Sequence, residues 1–122
     1  VQVKPSEHTA YDVGDEPLLL AGVLPTAVSK NRLLGAQFAA KVGAQLIIMD
    51  DGFQNPSVHK DVSLIVTDGT HMFGNNRMIP AGPLREPVMQ GLKRADGVII
   101  INPKPDSGIP AIQINVLRAQ TR

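Results

Sequence analysis

The sequence predicts an α/β fold: a mostly parallel sheet with flanking helices. Three observations predict it. Short unbroken apolar runs stand at residues 46–49 and 97–101, and a third run at 62–66 is broken only by Ser63, as expected of strands buried on both faces. Segments with helical spacing at 32–42 and 86–94 alternate with the strands, the alternation that defines the class. Polar groups stand where the runs end, Asp50-Asp51, Asp68 and Asn102. Parallel strands would gather these at one carboxyl edge, where open α/β sheets bind ligands.

The elements follow in order. Gly14-Asp15-Glu16-Pro17 precedes Leu18-Leu19-Leu20; Asp15 reads as an N-cap, Glu16 and Pro17 as a first turn, and the leucines as the buried side of a short helix. Ala27-Val28 is a candidate strand. Asn31 caps a helix over 32–42 that sets Leu34, Phe38 and Val42 on one face, and Gly43 ends it. The strand at 46–49 then completes a compact βαβ unit, expected to be right-handed. A loop with Pro56 leads to the strand at 62–66, which runs out in Thr67-Asp68-Gly69. Residues 69–85 are rich in Gly, Asn and Pro, a long loop of the kind that carries function. A short helix over 86–94, a strand over 97–101 and a strand over 112–116, exposed on one face by its alternation with Gln113 and Asn115, complete the reading.

The 122 residues suffice for one domain with a real core, and the whole chain, 1–122, reads as a single α/β domain. Lys and Arg total 12 against 11 for Asp and Glu, a net charge of +1. That balance lacks the basic stripe of a nucleic-acid binder. Basic residues gather only weakly, at Arg77, Arg85, Lys93 and Arg94. Cysteine is absent, which excludes disulfides and thiolate metal sites. His8, His59 and His71 have no metal-ligand spacing. No apolar run approaches the ~18 residues of a membrane span, and no signal-peptide pattern opens the chain. It begins at Val1, in the manner of an internal segment, so the expectation is the middle part of a larger protein.

Three places carry chemistry-bearing residues. Asp50 and Asp51 are hard oxygen ligands suited to Mg²⁺ beside a nucleotide phosphate; side chains of successive strand residues point to opposite faces, so one would serve the metal and the other anchor the loop. Asp15 with Glu16 is either a helix N-terminus stabilised by the dipole or the source of a general base. The stretch 73–87 combines glycines that permit close approach with prolines that stiffen the path, and its Arg77 and Arg85 each offer a planar fork to a phosphate. Alternatively Arg85 and Glu86 serve only the local loop and helix start. The phosphate-cradling signature G-x-x-x-x-G-K-[ST] does not occur. Gly69 and Gly74 have its separation, but Asn75-Asn76 follows.

Asp50-Asp51-Gly52-Phe53-Gln54, the run to Asp68, and Phe73-Gly74-Asn75 through Pro80-Ala81-Gly82-Pro83-Leu84-Arg85-Glu86 together resemble the tetraacyldisaccharide 4'-kinases, the lipid A 4'-kinases. Gly14-Asp15-Glu16-Pro17 and Arg94-Ala95-Asp96 match in the same order, so the likeness covers residues 11–102. It implies a P-loop-type kinase, here a partial domain, that transfers the γ-phosphate of ATP with Mg²⁺ to the 4'-hydroxyl of a tetraacylated glucosamine disaccharide. It implies a peripheral enzyme at the cytoplasmic face of the Gram-negative inner membrane, with a lipid disaccharide and the membrane surface as partners and no nucleic acid. The oligomeric state is left open. In such enzymes the Walker-A loop and a membrane-associating segment lie upstream and a catalytic histidine downstream, so this chain alone is expected to be inactive. By the same resemblance Asp15 matches the acidic position proposed in proton abstraction, Asp50 and Asp51 the Walker-B-like pair, and Asn75, Arg77 and Arg85 are candidate substrate or phosphate contacts. Asn55 stands where many members have histidine and is assigned no role. The competing reading is a non-catalytic α/β module that binds an anionic ligand.

Overall fold

A computed structural model describes residues 1–104 and 114–119. The chain forms two compact units, Val1–His59 and Lys60–Arg122.

The first unit is built from three helices and one antiparallel bridge. Helix α1, Ala10–Val13, was not legible as a helix; it is set by Thr9, whose backbone N–H and hydroxyl both donate to the Asp12 carboxylate at 2.8 Å. These bonds, the backbone one first, hold the Asp12 carboxyl below the usual carboxylate range. Helix α2, Asp15–Ala21, starts one residue earlier than a cap at Asp15 requires. Gly14 is the N-cap and Asp15 is the first helical residue. Gly14 has φ +92°, a conformation that glycine enters without steric cost. Helix α3, Arg32–Lys41, follows the expected plan: Asn31 accepts from the Leu34 N–H at 3.1 Å, and Gly43 lies just past the end. Ala27 bridges Gln2 antiparallel, with Val1 and Val28 exchanging backbone bonds.

Several expectations fail in this unit; the leucines of α2 form no buried side, since Leu19 is 75% and Leu20 41% exposed. Residues 46–49 form no strand among the described residues, and Leu46 and Ile48 are each 77% exposed. The βαβ unit is therefore absent, since Ala27 pairs instead with the amino-terminal segment. The physical reason is that an apolar run specifies burial, whereas a strand also needs a neighbour to complete its hydrogen-bond ladder. The face of α3 is likewise open: Leu34, Phe38 and Val42 are all exposed.

The second unit is the α/β part. Strands β1, Leu64–Asp68, β2, Gly97–Ile101, and β3, Asn115–Ala119, form a parallel sheet in the order β1-β2-β3. Leu64 stands opposite Gly97 and Asp68 opposite Ile101; Gly97 faces Asn115 and Ile101 faces Ala119. Helix α4, Val88–Arg94, makes the crossover between β1 and β2. Its Leu92, 1% exposed, meets Val98 and Ile100, both 0% exposed, and Ile65, Met72, Phe73, Val88 and Ile114 close around them. The central strand β2 is thus the buried one, which explains its uninterrupted apolar sequence. Strand β3 is exposed at every position, as an outer strand; it lies later than expected, and residues 112 and 113 fall outside the described residues. Asp96 ties the start of the sheet together. Its carboxylate accepts from the Ser63 N–H at 2.7 Å, its own N–H donates to the Ser63 carbonyl at 2.8 Å, and its carbonyl accepts from Asn115 Nδ2 at 3.2 Å. No helix among the described residues is long and apolar enough to cross a membrane.

Candidate functional site

Parallel pairing brings Asp68 and Asn102 to one edge of the sheet, as expected of the strand ends. Asp68 turns the chain there. Its carboxylate accepts from the Thr70 N–H at 2.6 Å and meets His71 Nδ1 at 3.2 Å, and its carbonyl accepts from the Met72 N–H. The Thr70 bond first, then His71, keeps the Asp68 carboxyl below its ordinary value. A depressed carboxyl contributes its share to the turn above the unfolded-state pKa and loses it as pH falls through the folded-state one. Thr67, almost fully buried, donates its hydroxyl to the Met72 carbonyl at 2.7 Å. Gly69 N–H donates to the Ile101 carbonyl and Asn102 N–H to that of Ala119. The edge is therefore closed by backbone hydrogen bonds that radiate from β1 and β2.

From this edge the chain enters an arch over residues 74–86. Leu84 N–H donates to the Arg77 carbonyl at 3.2 Å and Ile79 N–H to the Leu84 carbonyl at 2.9 Å, so the two legs close on each other. Ala81 and Gly82 N–H both donate to the Met78 carbonyl and turn the tip. The Ile79–Pro80 peptide bond is cis. Asn75 spans the legs: Oδ1 accepts from the Arg77 N–H at 3.1 Å and Nδ2 donates to the Ala81 carbonyl at 2.9 Å. Gly82 passes so close that a Cβ there would run into Asn75 Oδ1 and the Arg77 carbonyl. Here the glycine is needed for close approach.

The arch places the candidate residues unequally. Arg77 and Arg85 are both exposed, and the closing bonds set the backbone of Arg77 beside Leu84, the residue before Arg85. Two guanidinium-bearing side chains thus start from neighbouring points. Arg94, counted among the basic residues, instead engages Glu86: one guanidinium nitrogen reaches both carboxylate oxygens, at 2.5 and 2.7 Å. This pair joins the approach to α4 with its last turn.

In the first unit Asp15 is exposed in the opening turn of α2. Asp50 and Asp51 are exposed in the turn after residues 46–49, and Asp51 has φ +48°. The turn continues with the Asn55 N–H donating to the Gly52 carbonyl, while Asn55 Oδ1 accepts from the Ser57 N–H and hydroxyl. Asn55 thus has a local structural duty. No group of three or more His, Cys, Asp or Glu among the described residues could hold a metal ion. A carboxylate pair suits Mg²⁺ nonetheless, because that ion keeps several waters and takes one or two carboxylates together with substrate phosphates.

The arch clamp was not foreseen. Asn75 is a candidate by the family resemblance alone, and nothing in the spacing shows that its amide holds Arg77 and Ala81. The Asp96 clamp, which reaches 33 residues back to Ser63, left no local signal either.

Residues 1–121 match the family profile described as Tetraacyldisaccharide-1-P 4'-kinase. Among curated proteins, the tetraacyldisaccharide 4'-kinase of Rhodospirillum centenum is 54% identical over 101 residues, covering 83% of this chain and 30% of that protein. Its counterpart in Dinoroseobacter shibae is 57% identical over 103 residues, 84% of this chain and 31% of that protein. That of Gluconobacter oxydans is 47% identical over all 122 residues and 37% of its own length. The chain thus spans about a third of the length of these relatives. No solved structure matches it.

Proposed function

The chain belongs to the tetraacyldisaccharide-1-P 4'-kinase family, and on that premise we propose that the protein, at the length of its relatives, transfers the γ-phosphate of ATP to the 4'-hydroxyl of a tetraacylated glucosamine disaccharide in lipid A synthesis. The single observation that carries this reading is the family match over residues 1–121. The exposed Arg77 and Arg85 and the exposed carboxylates support it as chemistry: phosphoryl transfer asks for positioning and charge neutralisation more than for covalent partners.

The proposed roles divide as follows. The sugar hydroxyl oxygen attacks the γ-phosphorus, the bond from phosphorus to the bridging oxygen of ADP breaks, and the hydroxyl proton passes to the Asp15 carboxylate. Asp15 is accessible for that role at the start of α2. One of Asp50 and Asp51 would hold Mg²⁺, an ion that when bound would neutralise charge on the phosphate oxygens. Arg77 and Arg85 grip phosphate groups, a task to which a planar guanidinium is suited. The substrate is a lipid, so the working place is a membrane surface, proposed as the cytoplasmic face of the Gram-negative inner membrane, with the enzyme bound peripherally.

The test is to incubate the full-length protein with ATP, Mg²⁺ and a tetraacyl disaccharide 1-phosphate and weigh the lipid product. A gain of one phosphate group that depends on ATP is the expected result. Binding of the lipid without any gain in mass would leave a non-catalytic module.

A further inference from the structure

We infer that Asn75 is a positioning residue for phosphoryl transfer, acting through the backbone of Arg77 rather than by touching the substrate. The inference rests on the kinase reading and deepens it. Each polar atom of the Asn75 carboxamide is engaged within the arch, one on each leg: Oδ1 holds the Arg77 N–H and Nδ2 holds the Ala81 carbonyl. Arg77 is then fixed from both sides, because its own carbonyl accepts from the Leu84 N–H. Gly82 lies against the same oxygen and the same carbonyl with no room for a Cβ. Gly74, with φ +62°, packs where a Cβ would meet Pro83 Cγ at 2.8 Å. The four residues Gly74, Asn75, Gly82 and Pro83 therefore interlock around Arg77, whose backbone, like those of Leu84 and Ala81, is held at both its N–H and its carbonyl.

An exposed arginine gains little as a phosphate ligand if its stem wanders, since a misplaced group loses the benefit of orientation. The clamp fixes the point from which the Arg77 side chain departs. Backbone bonds across the arch, joined by the two bonds of the Asn75 carboxamide, hold its shape.

The experiment uses the full-length protein and four forms: Asn75→Ala, Asn75→Asp, Arg77→Ala and the double variant Asn75→Ala/Arg77→Ala. Three quantities are read: kcat and KM for ATP-dependent phosphorylation of the tetraacyl disaccharide, amide hydrogen exchange at Arg77 and Leu84, and the melting temperature. Asn75→Ala removes both bonds, but only the one to the Arg77 N–H bears directly on the arginine; loss of one such bond corresponds to roughly a 2- to 10-fold change, so the variant should speed exchange at both amides and lower kcat/KM by a factor in that range. The double variant should be no worse than Arg77→Ala, the non-additivity expected of residues acting as a unit. Asn75→Asp, which keeps an acceptor for the Arg77 N–H, should recover part of the loss. Losses that multiply in the double variant would make Asn75 an independent contact and overturn the proposal. So would faster exchange with unchanged kinetics, which would leave Asn75 merely structural.

If Asn75→Ala does not fold, Gly82→Ala attacks the same clamp from the other side. It should reproduce the kinetic loss and its coupling to Arg77, and a silent Gly82→Ala would refute the clamp. A wild-type protein that transfers no phosphate would remove the kinase reading, and this role with it. The exchange measurements would still report whether Asn75 holds the arch, so the two failures are distinguishable.

Discussion

Asp15 shows how a single position separates two explanations. As the first residue of α2, with Gly14 as the cap, it makes no N-cap hydrogen bond to lose; only its charge at the helix N-terminus contributes, typically ~0.3–1 kcal/mol. A general base is different in kind, since its removal costs about 10²–10⁴-fold in turnover. Asp15→Asn in the full-length protein should therefore lower kcat by such a factor while the melting temperature and ATP affinity stay near wild type. A variant that melts early yet turns over normally when folded would make Asp15 structural. Asp50 and Asp51 make a second pair to separate. Asp51 lies in the left-handed region and Asp50 does not, and only one carboxylate is expected to serve the metal. Asparagine tolerates a positive φ, so each Asp→Asn change removes charge without straining the turn. A Mg²⁺ titration of the two variants should show a raised metal requirement in one alone; equal losses with unchanged Mg²⁺ dependence would count against a metal role.

Elements became legible in the sequence where their signals are local. Asn31 and Gly43 bracket α3 as read, and 97–101 is a strand to the residue because β2 is central and buried. The cap can be weighed directly. Asn31→Ala should destabilise the protein by ~0.5–2 kcal/mol, measured as a lower denaturant midpoint with an unchanged slope; no shift would mean that α3 does not depend on its cap. Thr9-x-x-Asp12 is also a local signal, a capping pattern that starts α1. Residues 46–49 failed for the opposite reason. Their apolarity states a need for burial, but the pairing that makes a strand is decided by a partner, and the described residues contain none for them. In the candidate site, the residue types were readable and the wiring was not. The arch could be recognised from its glycines, prolines and arginines, whereas the clamp through Asn75 and the diversion of Arg94 to Glu86 depend on contacts that sequence spacing does not encode.

At the scale of the molecule, two units carry the candidate residues: Asp15, Asp50 and Asp51 in one, Arg77 and Arg85 in the other. A parallel three-stranded sheet supplies the rigid base for the arch, with its core at Leu92, Val98 and Ile100. The 122 residues contain no G-x-x-x-x-G-K-[ST] segment, and a kinase of this type holds its triphosphate with that backbone cradle and its lysine. The 122-residue chain by itself should accordingly show no lipid phosphorylation and at best weak Mg-ATP binding, measured by calorimetry and a transfer assay. Turnover by the isolated chain would mean that its own arch and carboxylates suffice. The most direct measurement on the kinase reading uses the full-length protein with γ-labelled ATP and two acceptors, the tetraacyl disaccharide 1-phosphate and its 4'-deoxy analogue. Label entering the first and not the second is the expected result; label entering both, or neither, would contradict transfer to the 4'-hydroxyl.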